Sequence, residues 1–260
     1  MRRARSRRSP SCCGRGSRPP IPRTSPCAAE RRGEEMCNLF ANTMPVDAMR
    51  DLFAVDRGHD RLGNAPPLPA IFPRHDAPVL RCDADGARAL TPMHWGFLMP
   101  QVSKKTGKPI LPKAVNNARD DKLRASPFWR ESFAGRRCLL PATSFCEAEG
   151  RAPATYHWFA MAGDGRPPFA FAALWRRFRG RYRDAEPVEI ETVTMVTTTP
   201  NALVRPIHPD RMPAILPRED WETWLRGDPD DAFALIRPFP AEAMRIARSG
   251  LDAKADPGED

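Results

Sequence analysis

The sequence predicts a single compact α+β domain with a strand-rich core of partly barrel-like sheets, flanked by short helices. Thirty of the 260 residues are proline, about twice average usage, which argues against long uninterrupted helices and against a coiled coil. Hydrophobic residues make up 41% of the chain and charged residues 28%, which is ordinary for a globular protein with a sizeable buried core. From Met36 onward, short β-like runs alternate with prolines, so we expect one domain over residues 36–248.

The first half of this domain is predicted from local patterns. A helix over Val46–Val55 follows Pro45, and Met49, Leu52 and Phe53 fall on one of its faces. The other elements expected there are a Gly/Pro/Asn-rich loop over residues 57–70, strands at Ala77–Cys82 and Ala87–Phe97 around the turn Asp83–Gly86, and a polar, lysine-bearing loop over Gln101–Lys113.

In the second half, β-branched and aromatic runs predict strands, of which Val188–Thr199 is the clearest. The others are Arg137–Leu140, Ser144–Glu147, Thr155–Met161 and Phe169–Phe178. A short helix is expected over Pro217–Leu225, because Pro217 suits its first turn and its two tryptophans share an apolar face. A further helix is expected over Asp230–Ile236, and the polar residues 249–260 are expected to fray.

Most of the positive charge lies in a segment unlike the rest of the chain. Residues 1–35 hold ten arginines and three glutamates, a net charge of +7, which leaves +2 for residues 36–260. This segment is too poor in aliphatic residues to fold by itself. Three interpretations stay open: a basic arm that binds nucleic acid, a targeting peptide that lacks an apolar core, or an extension absent from a protein whose translation starts at Met36.

The cysteines do not indicate a metal site or a disulfide framework. Seven cysteines are present without a Cys-x-x-Cys pair, so a structural zinc site is not expected and no metal or cofactor is predicted. The chain is long enough to fold without disulfides. It lacks an apolar stretch that could span a membrane. We expect a cytoplasmic monomer with no membrane partner.

Cys37 becomes a candidate reactive residue if translation starts at Met36. Initiator methionine is removed when the next residue is small, and Cys37 would then carry a free α-amine beside its thiol. Both groups are partly deprotonated near neutral pH. A 1,2-aminothiol condenses with an aldehyde to a stable five-membered thiazolidine. Alternatively, Cys37 is a small core residue.

Three further patterns are candidates for chemistry. Asn117 and Arg119 would point to the same face of a strand, where Arg119 could hold a phosphate, although a surface turn explains the spacing as well. Glu147 ends an apolar run, so partial burial would raise its pKa toward the general acid–base range, unless it is simply a solvated strand end. His208 lies in a polar segment, where a structural histidine is the common alternative.

Taken together, these patterns resemble the SRAP (SOS-response-associated peptidase) family of abasic-site proteins. The matching blocks run in family order across residues 36–240. They are M-C at 36–37, W-G-F at 95–97, N-A-R at 117–119, R-C-L-L-P-A-T-S-F-C-E at 137–147, A-A-L-W at 172–175, T-T-T-P-N at 197–201 and I-H-P-D-R-M-P at 207–213.

The resemblance implies a role for each candidate residue. Cys37 would become the mature N-terminus and crosslink to the ring-opened abasic sugar in single-stranded DNA. Asn117 would position that terminus, and Arg119 would hold the phosphate beside the lesion. Glu147 would move protons during imine formation and ring closure. His208 would assist opening of the sugar and reversal of the crosslink.

Two weaker assignments and two departures accompany the resemblance. It assigns DNA contacts to Thr197, and to Trp95 as a residue that could stack on a base. Many relatives carry Gly-Arg-Phe after the cysteine, whereas Asn-Leu-Phe stands here, with Leu39 in place of a basic residue. Ala148 follows Glu147 where a tryptophan often stands. The lysine-bearing loop could replace part of these contacts.

Three functions remain open at this point. The first is covalent capture of abasic sites in single-stranded DNA, with self-processing of the N-terminus and association with the nucleoid when DNA is damaged. The second is a cysteine peptidase that uses Cys37, Glu147 and His208 on other proteins. The third is a non-covalent single-strand binder, for which replacing Cys37 would leave DNA association intact.

Overall fold

The computed structural model describes residues 38–150, 153–182 and 186–258. These residues form a strand-rich α+β fold with short helices, as the sequence predicts. The strands are β1 (Phe40–Asn42), β2 (Leu68–Ile71), β3 (Asp76–Cys82), β4 (Arg88–Trp95), β5 (Phe97–Val102), β6 (Pro109–Val115), β7 (Asn117–Arg119), β8 (Arg137–Ala142), β9 (Ser144–Glu149), β10 (Thr155–Met161), β11 (Phe169–Gly180), β12 (Val188–Thr198), β13 (Met212–Pro213), β14 (Ile215–Leu216) and β15 (Met244–Leu251). The helices are α1 (Val46–Phe53), α2 (Pro127–Gly135), α3 (Trp221–Arg226) and α4 (Pro229–Ala234).

Five strands close into a ring. Antiparallel pairings link β4 to β3, β3 to β8, β8 to β11 and β11 to β12, and a parallel pairing of β12 with β4 closes the circle. Closure leaves these strands without exposed edges. β7 adds to β12 in parallel, while β13 and β14 extend β12 and β11. The partly barrel-like sheet expected from the sequence is therefore present.

A second sheet packs against this barrel. Its strand order is β15-β10-β9-β1-β2, and every pairing in it is antiparallel. Phe40 of β1 and Phe145 of β9 lie in one buried cluster with the barrel residue Phe171, with ring centroids 5.8 and 6.0 Å from it. These aromatic contacts join β1 and β9 to the barrel.

Alternate residues of the barrel strands enter two different clusters. Leu80, Leu139 and Leu174 pack with the helices, whereas their neighbours along the strands pack with the second sheet. The helices are fixed in the first cluster by contacts such as Phe53 against Trp221, 4.7 Å between ring centroids. The period of two in a strand therefore builds a core on both sides of the barrel wall.

Arg137 joins two helix ends to the barrel. Its guanidinium donates to the carbonyl oxygens of Phe133 at 2.8 Å and Trp224 at 2.5 Å, and also to that of Gly227. These carbonyls end α2 and α3, where helix acceptors lack partners within the helix. Burial lowers the pKa of Arg137. The arginine of the R-C-L-L-P block therefore has a structural role.

The structure confirms the helix that begins at Val46, the strands around the turn Asp83–Gly86, and the strand that begins at Val188. The loop expected over Gln101–Lys113 is wrong. Residues 97–102 and 109–115 instead form the β5–β6 hairpin. The expected loop over 57–70 is right only in part, because β2 begins at Leu68.

The prediction of a frayed tail is also wrong for the described residues up to 258. Asp256 is 1% exposed. Its carboxylate accepts hydrogen bonds from Ser144 at 2.6 Å and from Arg166 at 3.0 and 3.1 Å. Its backbone N–H donates to the carbonyl oxygen of Pro69. A buried ion pair fixes the tail against β9, and polarity alone did not indicate this.

Candidate functional site

The described chain begins beside Glu147. Phe40 of β1 pairs with Phe145 of β9, and the Cys146 N–H donates to the carbonyl oxygen of Leu39 at 2.9 Å. Continuing this register by one residue places Asn38 alongside Glu147. Cys37, which directly precedes Asn38 in the sequence, lies outside the described residues.

Glu147 is a buried carboxyl near the end of β9. It is 4% exposed and lies opposite His157 of β10. Burial, followed by the charge of Glu147, raises the pKa of the neighbouring Cys146 thiol. Glu149 shares the strand face but is exposed, and its carboxylate contacts His157 Nε2 at 3.0 Å. The same strand thus carries one buried and one solvated carboxyl.

The strand β7 holds the two polar residues predicted for the site. It pairs in parallel with β12, placing Asn117 opposite Met195 and Arg119 opposite Thr197. Asn117 is 7% exposed, whereas Arg119 keeps 37% of its side chain exposed. Of the two interpretations left open by the sequence, a strand and a surface turn, the structure shows the strand.

Asn116 connects β7 to the start of the described chain. Its Nδ2 donates to Oδ1 of Asn38 at 2.6 Å. Its carbonyl oxygen accepts from Trp95 Nε1 and from the backbone N–H of Met195, both at 3.0 Å. Asn116 precedes the N-A-R block, and its role was not predicted from the sequence. The double asparagine was the signal that could have indicated one.

Arg119 lies at the exposed end of β7 with a carboxylate beside it. Its Nε donates to Asp121 Oδ1 at 3.0 Å, and its terminal nitrogen contacts Oδ2 at 3.4 Å. The hydrogen bond from Arg119 lowers the pKa of Asp121. The guanidinium is therefore held in a fixed orientation, where a phosphate would compete with this carboxylate.

His208 follows β12 in a turn that Arg211 holds. The backbone N–H of Arg211 donates to His208 Nδ1 at 3.2 Å, so the neutral ring carries its proton on Nε2. The Arg211 guanidinium is buried, contacts Asp120 Oδ1 at 2.6 Å and donates to the Thr197 carbonyl oxygen. Arg211 thus joins the His208 turn to the end of β7. It stands in the I-H-P-D-R-M-P block, in which only His208 was predicted to belong to the site.

Two predicted DNA contacts do not fit their positions. Trp95 is fully buried, its ring 4.9 Å from that of Phe40, so it cannot stack on a base without opening the core. Thr197 is also fully buried, and its hydroxyl and carbonyl oxygens face Arg211. Both residues support the site from within instead of contacting solvent.

The remaining candidates are joined by a series of contacts. The register of β1 on β9, continued to Asn38, aligns that residue with Glu147. Asn38 Oδ1 accepts from Asn116, and β7 then leads from Asn117 to Arg119. Asp120 follows Arg119 and pairs with Arg211, which bonds to His208. Leu39, at the position where relatives carry a basic residue, is buried against Cys146 and Trp158.

The described residues were also compared with the requirements of a metal site and of a membrane-spanning helix. In ranges 38–150, 153–182 and 186–258, no group of three or more His, Cys, Asp or Glu side chains is placed to hold a metal ion. None of the helices in that part of the chain is long and apolar enough to cross a membrane.

Comparison with known proteins identifies the family. The family model described as SOS response associated peptidase (SRAP) matches residues 36–249. The abasic site processing protein YoqW of Bacillus subtilis (strain 168) is 30% identical over 213 residues, which cover 80% of this chain and 90% of that protein. The abasic site processing protein YobE of the same organism is 29% identical and is covered to 92%.

Solved structures share the fold. A protein from Bordetella bronchiseptica superimposes with a TM-score of 0.62 at 25% identity, covering 80% of this chain and 97% of the other. A protein from Bacteroides thetaiotaomicron gives a TM-score of 0.63 at 21% identity, covering 80% and 90%. At that identity, the second likeness concerns the fold alone.

Proposed function

The chain belongs to the SOS response associated peptidase (SRAP) family, and we propose that it captures abasic sites in single-stranded DNA through a covalent bond to Cys37. Two relatives that are 30% and 29% identical to this chain carry the name abasic site processing protein. One observation carries the proposal. Asn38, the residue after Cys37, is hydrogen-bonded to Asn116, the residue before Asn117, and the register of β1 on β9, continued to Asn38, aligns it with the buried Glu147.

The chemistry needs both groups of an N-terminal cysteine. The ring-opened abasic sugar presents an aldehyde, to which the α-amine of Cys37 adds, giving a carbinolamine. Loss of one water forms the imine, and the thiol then adds across the C=N bond, so that sulfur joins carbon and the proton moves to nitrogen. The product is a thiazolidine, the sum of protein and DNA less one water, with no change in oxidation state.

Glu147 is assigned the proton transfers. Expulsion of water from the carbinolamine needs a proton donor, and ring closure needs a base near the thiol. A single carboxyl can do both in turn. The buried setting of Glu147, compared with the solvated Glu149 on the same strand, supports this choice. Asn117, buried on the adjoining β7, is assigned to holding the Cys37 terminus.

His208 is assigned to opening the sugar ring and to reversing the adduct. Because the Arg211 N–H donates to Nδ1, the neutral imidazole carries its N–H at Nε2. A donor of this kind can stabilise the oxygen that leaves when the sugar ring opens. Arg119 is assigned to the phosphate beside the lesion, in exchange for its contact with Asp121.

The proposal requires that Cys37 has a free amine. With residues 1–36 attached, the nitrogen of Cys37 is an amide and no thiazolidine can form. We therefore assign the mature terminus to Cys37, reached by a start at Met36 with removal of the methionine, or by cleavage before Cys37. The start of the family match at Met36 supports this assignment.

A denaturing-gel time course tests the function. The protein beginning at Cys37 is mixed with single-stranded DNA that carries one abasic site, and the same site in a duplex serves as the comparison. A slowly migrating adduct that survives denaturation and forms faster on the single strand is expected, since base pairing hinders access to the sugar. Non-covalent association alone, equal for Cys37→Ala and wild type, would leave only the simple single-strand binder.

A further inference from the structure

A histidine of the second sheet lies between a serine and a carboxylate. His157 of β10 is paired with Ser249 of β15 on one side and with Glu147 of β9 on the other. Glu149 follows Glu147 by two residues, so it lies on the same face of β9. Directly paired residues also share a face of a sheet. The pairing of three strands therefore brings the serine, the histidine and the second carboxylate together, outside the contacts that join Glu147 to His208.

Hydrogen bonds order the three side chains as nucleophile, base and carboxylate. Ser249 Oγ is 2.9 Å from His157 Nδ1, and Glu149 Oε2 is 3.0 Å from His157 Nε2. A carboxylate only accepts, so the neutral imidazole carries its proton on Nε2, and its Nδ1 accepts from the serine hydroxyl. In this arrangement the histidine can take the proton of a serine that attacks an electrophile. The two ring nitrogens are exchanged relative to the triad of serine proteases, but the order of proton transfer is the same.

The exposure of the three residues suits a nucleophile that is reached from solvent. The His157 side chain is 14% exposed, so packing holds the ring in place, whereas Ser249 is exposed. The Glu149 side chain is 60% exposed, and water therefore screens its attraction for the imidazolium that forms during attack. We expect a serine that is activated by its base and only weakly helped by its carboxylate.

The edge of β15 supplies two further features that an acyl-transfer site needs. In the described part of the chain, β15 pairs with β10 alone, so its other edge is open. Backbone N–H groups alternate between the two edges of a strand, so that either the N–H of Ser249 or those of Arg248 and Gly250 point to the open edge, where they can donate to a developing oxyanion. Leu251, two residues after Ser249 on the same face, is 67% exposed and offers an apolar surface to an acyl chain.

We propose that Ser249 is a second nucleophile of this protein and takes the acyl group of small esters with an apolar acyl chain. The serine oxygen bonds to the ester carbonyl carbon while its proton moves to His157. The ester C–O bond then breaks, and the leaving alcohol takes that proton. Water attacks the acyl-serine with His157 again as base, which releases the carboxylic acid and restores Ser249. This activity goes beyond the capture of abasic sites and uses neither Cys37 nor DNA.

Labelling with diisopropyl fluorophosphate, followed by peptide mass mapping, tests the nucleophile. The serine oxygen bonds to phosphorus and fluoride leaves, so the label marks an activated serine directly. The label should lie on Ser249 and be absent from that peptide in Ser249→Ala. The comparison residue is Ser103, whose Oγ accepts from the backbone N–H of Thr106 instead of a histidine. Equal labelling of Ser103 and Ser249 would overturn the proposal.

Two variants test the activation of Ser249. His157→Gln removes the base and should slow labelling by at least about 10²-fold. Glu149→Ala removes an exposed acceptor, so the fold is retained, and labelling should slow several-fold. The double variant should be no slower than His157→Gln alone, because the carboxylate acts through the imidazole. Labelling of Ser249 at the wild-type rate in either single variant would overturn the proposal.

Hydrolysis of p-nitrophenyl butyrate tests the substrate class. The assay uses the Cys37→Ala chain, because the thiol of Cys37 would also accept acyl groups. This chain should release nitrophenolate with turnover, and Cys37→Ala/Ser249→Ala should fall to the rate in buffer. Adding Leu251→Ser should raise KM for the butyrate more than for the acetate ester. Equal rates with and without Ser249 would overturn the proposal, and failure of crosslinking through Cys37 would not affect either result.

Discussion

Asn116 and Asn38 are joined by a hydrogen bond of 2.6 Å between their side-chain amides. The two residues are 78 positions apart, and each adjoins a residue of the proposed site, Asn117 in one case and Cys37 in the other. The Asn116 carbonyl oxygen also accepts from Trp95 and Met195, so its backbone is fixed to the barrel. This hydrogen bond between the two side chains therefore sets where the chain segment after Cys37 lies relative to β7.

Removing this hydrogen bond should lower the crosslinking rate, because Cys37 is no longer held in place, while the stability of the fold changes little. A partly exposed neutral hydrogen bond contributes about 1 kcal/mol. Asn38→Ala and Asn116→Ala should each slow crosslinking several-fold with small changes in Tm. The double variant should be no slower than the slower single variant. Rates from single-turnover assays give this double-mutant cycle, and fully additive effects would show that the two residues act independently.

The contrast between Glu147 and Glu149 provides a matched pair of variants. Glu147→Gln removes the proposed acid–base group and should slow crosslink formation by about 10²–10⁴-fold. Slow adduct formation should persist, because an aminothiol and an aldehyde react unaided. Glu149→Gln changes an exposed carboxyl two residues away and should leave the rate unchanged. A Glu147→Gln variant as fast as wild type would remove Glu147 from the mechanism.

His208 should matter more for release than for capture. Arg211 donates to Nδ1 of the ring, so the neutral imidazole carries its N–H at the other nitrogen, Nε2. His208→Ala should slow reversal of a purified crosslink more than it slows formation. His208→Gln places an amide N–H near the Nε2 position and should recover part of the reversal rate. Adduct decay in the presence of excess unlabelled abasic DNA measures both. Equal slowing of formation and reversal would contradict this division of roles.

Arg119 and Asp121 should affect DNA binding in opposite directions. Arg119→Ala should weaken binding to all sequences and lower the salt slope by about one, as expected for one lost phosphate contact. Asp121→Asn removes the carboxylate that competes for the guanidinium and should tighten binding. Affinities for a tetrahydrofuran-containing single strand, measured over a range of salt concentrations, give both results. A salt slope that Arg119→Ala leaves unchanged would contradict the phosphate role.

The docked tail should make stability depend on pH. Burial alone would raise the pKa of Asp256, but the bonds from Arg166 and Ser144 outweigh it and lower that pKa. A carboxyl with a lowered folded-state pKa stabilises the fold above its ordinary pKa of about 3.9, and this stability is lost as the pH falls through the folded-state value.

Asp256→Asn leaves Arg166 buried without its counter-charge and should cost about 3 kcal/mol near pH 7. The difference in Tm from wild type should shrink as the pH is lowered toward 3. Asp252→Asn is the control, because Asp252 is exposed and asparagine accepts its positive φ of 51°. A difference in Tm that stays constant with pH would refute the contribution of the ion pair.

Elements with strong local signals could be predicted from the sequence. The β-branched run after Val188 and the apolar face of α1 define their structures locally, and the apolar run before Glu147 correctly indicated burial of that carboxyl. The spacing of the N-A-R block left a strand and a surface turn equally open, and the structure shows the strand. The resemblance to a family then supplied the proposed roles.

Other features depend on partners far along the chain. The β5–β6 segment is polar and rich in proline, and its attachment to Phe178 and Tyr182 has no local signature. Asp256 finds Ser144 112 residues away, so its position could not be predicted from tail composition. The W-G-F block marked Trp95 as important, but only the structure places its indole N–H on the Asn116 carbonyl oxygen.

The intact mass of the crosslinked product tests the central claim most directly. Protein expressed from Met36 is mixed with abasic single-stranded DNA, and its product is compared with that of a chain that retains residues 1–36. We predict a product from the first protein whose mass equals the chain from Cys37 plus the DNA, less one water, stable without reductant and absent for Cys37→Ser. No adduct should retain residues 1–36, because the Cys37 nitrogen is then an amide. A stable adduct whose mass still includes residues 1–36, or one formed by Cys37→Ala, would contradict capture through the Cys37 aminothiol.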